Sequence, residues 1–218
     1  MLVLLLQRRN FAVGSTLVKS EAIFTALFGL LFFGEHISLL AWLAISLGIL
    51  GLLVASMGKF NLSFGTLLGG IDSMSAKLGI SAGVAFAIAS ACIRQANLSL
   101  VDIDSPLSQA TVTLSVVLII QTVIGGALVF SRNHQALSEI TDNWRICAFI
   151  GLTSMIGSFG WFAAYALQNA AYVKTVGQIE FIFTLALTWF YFKEKGPHYE
   201  YWAILLVALS AILIIWTA

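Results

Sequence analysis

Two acids stand inside long apolar runs: Glu21 in one and Glu180 in another, each followed four residues later by a threonine, Thr25 and Thr184. Residues four apart share a helix face, so each carboxyl has a hydroxyl on its own side. An acid at such depth in a bilayer costs on the order of 2.5–3.5 kcal/mol. It is therefore expected to face a partner, the bundle interior or a wet cavity. Two roles suit it: a proton- or substrate-cation-binding site, or a hydrogen-bonded carboxyl that locks helices together. Lys19 and Gln178 precede the two acids by two residues, which places them nearly opposite on the helix. Lys19 with Ser15 suits an anionic group; pairing with an acid or snorkelling to the boundary is the alternative. Trp161 and Tyr165 join Ser154, Ser158 and Gln168 in a stripe at helical spacing. The stripe suits a mixed polar–aromatic solute or a helix-packing seam. Gln109 and Gln121 are weaker candidates, because neutral amides also join helices in lipid.

The elements that position these groups follow from composition. Of 218 residues, 60% are hydrophobic and 10% charged, with a net charge of +1, and the mean hydropathy is +0.97. Soluble domains carry about 25% charged residues, so a soluble globule is excluded. Apolar residues run in blocks rather than alternating, which argues against a transmembrane β-barrel. No basic stripe points to nucleic acid. His36, His134 and His198 are scattered, so no metal is expected. Cys92 and Cys147 read as small buried apolar residues. No phosphate-cradling loop, nucleophile triad or cofactor motif is present, and neither an enzyme nor an ATP-driven pump is expected.

Seven apolar runs meet the length of ~20 residues that a helical span requires: 13–33, 38–57, 78–98, 107–130, 146–167, 173–192 and 198–217. Only helix satisfies the backbone of such runs in lipid. The expected class is an all-α polytopic membrane protein with seven spans. Met1–Leu6 adds an apolar stub, closed by Gln7, Arg8, Arg9 and Asn10, that reads as the end of a helix. Residues 58–77, rich in Gly and Ser, read as a linker, and 131–145 as an exposed crossing. Gly79, Gly83 and Ala87 form a small-residue face for close helix approach. Arg94, four residues after Ser90, is expected to anchor at the interface.

Positions 19–35 and 178–194 align without a gap, 159 residues apart, with six identities in seventeen positions, among them Glu21 with Glu180 and Glu35 with Glu194. Shared apolarity does not account for the acids. The copies are five spans apart, an odd number, so they cross the membrane in opposite directions. Inverted repeats typify secondary transporters, with the substrate site near the midplane between halves.

The run into Gly34-Glu35, the Gly-rich LAISLGILGLL (43–53), ACIRQA (91–96), AYALQNA (164–170) and QIEFIFTLALTWFYFKEK (178–195) together resemble the EamA type of the drug/metabolite transporter superfamily. That resemblance covers nearly the whole chain. It implies a ten-helix, two-repeat carrier, of which this chain lacks helices one, two and most of three. Residues 1–57 would then be the remnant of the first repeat, 58–77 the inter-repeat linker and 78–218 the second repeat. It further implies a bacterial inner-membrane protein with a small-molecule substrate, the lipid bilayer as surroundings and cytoplasmic termini. The charge distribution points the other way. Arg8, Arg9, Lys59, Lys77, Arg132, Arg145, Lys193 and Lys195 gather on one side against Arg94 and Lys174 on the other, and positive residues favour the cytoplasm. A non-transporting subunit or inactive remnant is the alternative to a carrier.

Overall fold

The structure is a computed structural model describing residues 11–59, 65, 73–132, 134–191, 193 and 197–217. The described residues form α1 (Phe11–Val18), α2 (Glu21–Phe33), α3 (Leu39–Lys59), α4 (Met74–Leu98), α5 (Pro106–Arg132), α6 (His134–Asp142), α7 (Trp144–Leu167), α8 (Ala170–Gly177), α9 (Glu180–Phe190) and α10 (His198–Thr217). No strand occurs among them. Among the described residues, seven stretches are long and apolar enough to cross a membrane: Val13–Phe33, Leu39–Gly58, Met74–Leu98, Pro106–Arg132, Trp144–Leu167, Ala170–Phe190 and His198–Thr217. They coincide with the seven expected spans to within a few residues. The stub at 1–10 and most of the expected linker lie outside the described residues.

Three details differ from expectation. The first and sixth spans are each two helices in series, α1–α2 and α8–α9, because the i→i−4 ladder switches to i→i−3 partway along. The segment 131–145 contains α6, a short polar helix, where a crossing without structure was expected. Both cysteines are exposed. Lipid offers no hydrophobic drive between helices, so an apolar thiol is as well placed facing hydrocarbon as facing protein.

Packing divides the chain into two compact units: residues 1–91 with 168–218, and Cys92–Leu167. These cut the chain differently from the repeats read in the sequence, because α10 from the second copy packs most extensively on α3 from the first. The two run antiparallel: Ala44 and Gly48 meet Ser210, Gly51 meets Val207 and Ala203, and Gly58 meets Tyr199. Ser210 Oγ donates to Ala44 O at 2.6 Å, a bond between helices that satisfies a hydroxyl where water is absent. Ala22, Ala26, Ala41, Ala44, Ile45 and Ile214 are central to the core of this unit. Gly79 lies so close to Gly14 that an added Cβ would collide with the Gly14 carbonyl. Gly83 and the fully buried Ala87 continue that face, as the small-residue spacing predicts.

In the second unit Ala110 and Leu114 of α5 pack against Phe162, Ala163 and Ala166 of α7. Most of α5 and α7 is otherwise exposed and apolar, including Ile119, Val123, Phe149 and Ile156, as suits a surface against acyl chains. Arg94 does more than anchor: Nη1 donates to Tyr165 O at 2.9 Å. Tyr165 lies in the last turn of α7, where carbonyls lack intrahelical partners and a cation is favoured by the helix dipole.

Candidate functional site

The two broken spans match at the separation seen in sequence. Helix α1 ends at Val18 and α8 at Gly177; α2 begins at Glu21 and α9 at Glu180; α3 begins at Leu39 and α10 at His198. Lys19 N donates to Thr16 O (3.1 Å) and Ser20 N to Leu17 O (3.2 Å), as Gln178 N does to Thr175 O (3.2 Å) and Ile179 N to Val176 O (3.0 Å). Beyond the break, Ile23 N and Phe24 N share Ser20 O, just as Ile182 N and Phe183 N share Ile179 O. The first break has a local cause in Ser20, whose Oγ also donates to Leu17 O at 2.6 Å and competes with the regular ladder. In the second, Gly177 lowers helix propensity at the same place. Left-handed residues follow at matching positions too, Gly34 (φ 64) and Lys193 (φ 55).

The acids head α2 and α9, where the helix dipole favours a carboxylate. Thr25 Oγ1 donates to Glu21 O at 2.8 Å and Thr184 Oγ1 to Glu180 O at 2.9 Å. Each hydroxyl thus bonds the main chain of its acid rather than the carboxylate, a correction to the reading from spacing. The acids then part company. Glu21 Oε2 lies 3.3 Å from Lys174 Nζ, with the lysine side chain 13% exposed and that of Glu21 29%. Lys174 also stands over the Phe86 ring at 5.7 Å from its centroid. Glu180 is exposed, where the depth argument expects a partner, the bundle interior or a wet cavity. Spacing along one helix fixes depth but not which way a residue faces.

Lys19 and Gln178 differ as well. Gln178 is buried against Gly48 and Ser210, and its Oε1 has no hydrogen-bond partner among the described residues. Lys19 is exposed and lines a cavity of about 530 Å³, which falls in the size range of small-molecule sites. Around it stand Ser15, Ser56, Thr184, Thr188, Trp189 and Glu200, with Leu52, Phe181, Leu185 and Tyr199 supplying apolar surface. Glu200 Oε2 accepts from Trp189 Nε1 at 2.9 Å. Helices α1, α3, α9 and α10 all contribute, and the cavity runs from the start of α10 down to the level of the two breaks.

Of the expected residues, Lys19 and Thr184 share this cavity, Glu21 is paired beside α8, and Thr25 and Gln178 are buried in the packing. Trp161 and Tyr165 belong to the second unit, with rings 5.9 Å apart; Tyr165 is buried. Lys174 and Glu200 were missed. Both stand within three residues of the expected start of a span and so read as boundary charges. Among the described residues no three His, Cys, Asp or Glu gather as a metal site.

Searches with this chain match no protein-family model, no curated protein and no solved structure.

Proposed function

We propose that the protein is an integral-membrane secondary transporter that moves a small metabolite or drug-like solute, driven by proton coupling or exchange. The observation that carries this reading is the coincidence of the two broken spans: the same hydrogen-bond switch, at the same register, followed by an acid in both. Irregular backbone at membrane depth is tolerated where it is buried or lines a cavity. A short 3₁₀ stretch within a helix often marks a hinge. Inverted repeats with interrupted spans beside a central cavity are the architecture of alternating access, and the resemblance to EamA-type permeases of the drug/metabolite superfamily agrees with it.

Glu21 with Lys174 and the exposed Glu180 are the proton- or cation-binding candidates, and Lys19 with Thr184 the substrate-side ones. The test is exchange by purified protein in proteoliposomes loaded with a mixture of small organic solutes, read by mass spectrometry. Release of a defined solute, abolished or altered in pH profile by Glu180→Gln, is expected. Vesicles that release nothing beyond protein-free controls would instead favour the non-transporting subunit or remnant.

A further inference from the structure

Helices α5 and α7 cover each other at one end only. Ala110 and Leu114 pack on Phe162, Ala163 and Ala166, with Val117 and Leu118 partly covered beside them. Beyond Leu118 the cover ends. Every position of α7 from Trp144 to Gly157 is exposed, and α5 from Ile119 to Arg132 is exposed save for half-buried Gly125 and Val129. Acyl chains suit such a surface where it is apolar, and most of it is.

One face of α5 is not. Leu118, Gln121, Thr122, Gly125 and Val129 recur there at helical spacing, and Gly126 adjoins them. Gln121 lies two residues past the middle of this 27-residue helix, which is ~3 Å along its axis. Among the described residues its amide makes no hydrogen bond, whereas Gln109 on the same helix donates to Leu100 O and Ile103 O. Thr111 and Ser115 turn their hydroxyls back onto carbonyls of the preceding turn, each at 2.8 Å. Thr122 does not, and it too has no bond among the described residues. A methyl added at Gly125 or Gly126 meets no atom within 4 Å. The glycines of α3 and α4 are placed differently: Gly48 meets Gln178 and Ser210, Gly51 meets Val207, and Gly79 meets Gly14. A glycine weakens a helix relative to alanine, and close helix approach is what offsets it in lipid. An unpaired amide in hydrocarbon adds a further cost. Acyl chains relieve neither.

We propose that this face of α5 docks on the same face of a second copy of the chain, the two helices crossing at Gln121 and Gly125. The amide selects the occupant. Glutamine carries both donors and an acceptor, so across a two-fold axis each Gln121 supplies what the other lacks, and the patch is complementary to itself. The area suffices as well. The uncovered lengths of α5 and α7, fourteen residues each, are cylinders ~10 Å across and ~21 Å long, with roughly 1,300 Å² of surface between them. Covering roughly three-fifths of it reaches the ~800 Å² that each partner gives to a stable interface. Such a pair suits a carrier and a non-transporting subunit alike.

Sedimentation of the purified full chain in density-matched detergent is expected to give the mass of two chains. Gln121→Leu should weaken the association about tenfold, in keeping with amide bonds between helices in lipid. Gly125→Ile should leave single chains, while Ala127→Ile, on the opposite side of α5, should keep the pair. A cross-link serves where the isoleucine variant fails to fold. In native membranes, Thr122→Cys in a chain carrying Cys92→Ser and Cys147→Ser should give a disulfide-linked dimer under mild oxidation, and Ala127→Cys should not. A single-chain mass for the unaltered protein overturns the proposal. So does a pair that both Gln121→Leu and Gly125→Ile leave intact, equal cross-linking at Thr122→Cys and Ala127→Cys, or a complex whose added mass belongs to a different chain.

Discussion

The spans α1–α2 and α8–α9 break at the same register and carry an acid at the same point, yet their surroundings differ. Glu21 is latched to Lys174, while Glu180 is exposed. Gln178 is packed against α3 and α10, while Lys19 lines an open cavity. Local conformation follows local sequence in both copies. Environment is set by the neighbours each copy meets, and those are not alike. The ion pair joins the two arms, Glu21 of the first to Lys174 in α8 of the second, and both arms line the cavity.

The comparison breaks most forcefully at the backbone contact between the first arm and α4. Gly79→Ala puts a methyl into the Gly14 carbonyl, and main chain cannot yield as a side-chain tip can. A loss of about 3 kcal/mol is expected, at the upper end of overpacking costs, read as a lower unfolding midpoint in detergent. Gly157→Ala, where a methyl meets no described atom, is the control. It should leave the midpoint unchanged or slightly raised, because Ala is the better helix former. Equal losses in both would remove the tight α1–α4 approach from the account.

The acids come next. Neutralising Glu21 removes the carboxylate from the ion pair with Lys174, so Glu21→Gln should cost about 1–3 kcal/mol, and adding Lys174→Gln should recover part of that loss. Glu180→Gln should move stability by less than about 0.5 kcal/mol, as surface changes do. A double-mutant cycle with no coupling between Glu21 and Lys174 would show that the latch holds nothing.

The smallest contrast lies at the ends of the two arms. Gly34 closes α2 in a left-handed turn, with Glu35 N bonded to Gly29 O at 3.0 Å, the glycine-ended form of helix terminus. Its counterpart Lys193 takes the same conformation with a side chain. Lys193→Gly is expected to stabilise by up to about 1 kcal/mol and Gly34→Ala to destabilise by a similar amount. Thermal unfolding of the two variants should therefore move in opposite directions.

Much of this was legible in the chain. The seven spans follow from the length of apolar run a bilayer requires, and Glu21 and Glu180 drew notice because a carboxyl at that depth needs a reason. The breaks were not legible. Lys19-Ser20 carries no proline or glycine, and Ser20 acts through one side-chain bond to its own backbone, which spacing does not reveal. Nor was the direction each residue faces. Apolar residues on a membrane helix point to lipid or to protein with little difference in free energy, so the exposure of Glu180, Cys92 and Cys147 had no signature. Lys174 and Glu200 were passed over because a charge near the expected end of a span resembles any charge in a loop.

The bond from Arg94 to the last turn of α7 also bears on how the chain is made. Arg94 leaves the ribosome 71 residues ahead of Tyr165, so its guanidinium must enter the membrane region before the carbonyl that receives it has been synthesised. Until then this one bond is unmade, and a charge left in hydrocarbon is costly. That link between the fourth and seventh helices therefore closes only after the seventh has been made.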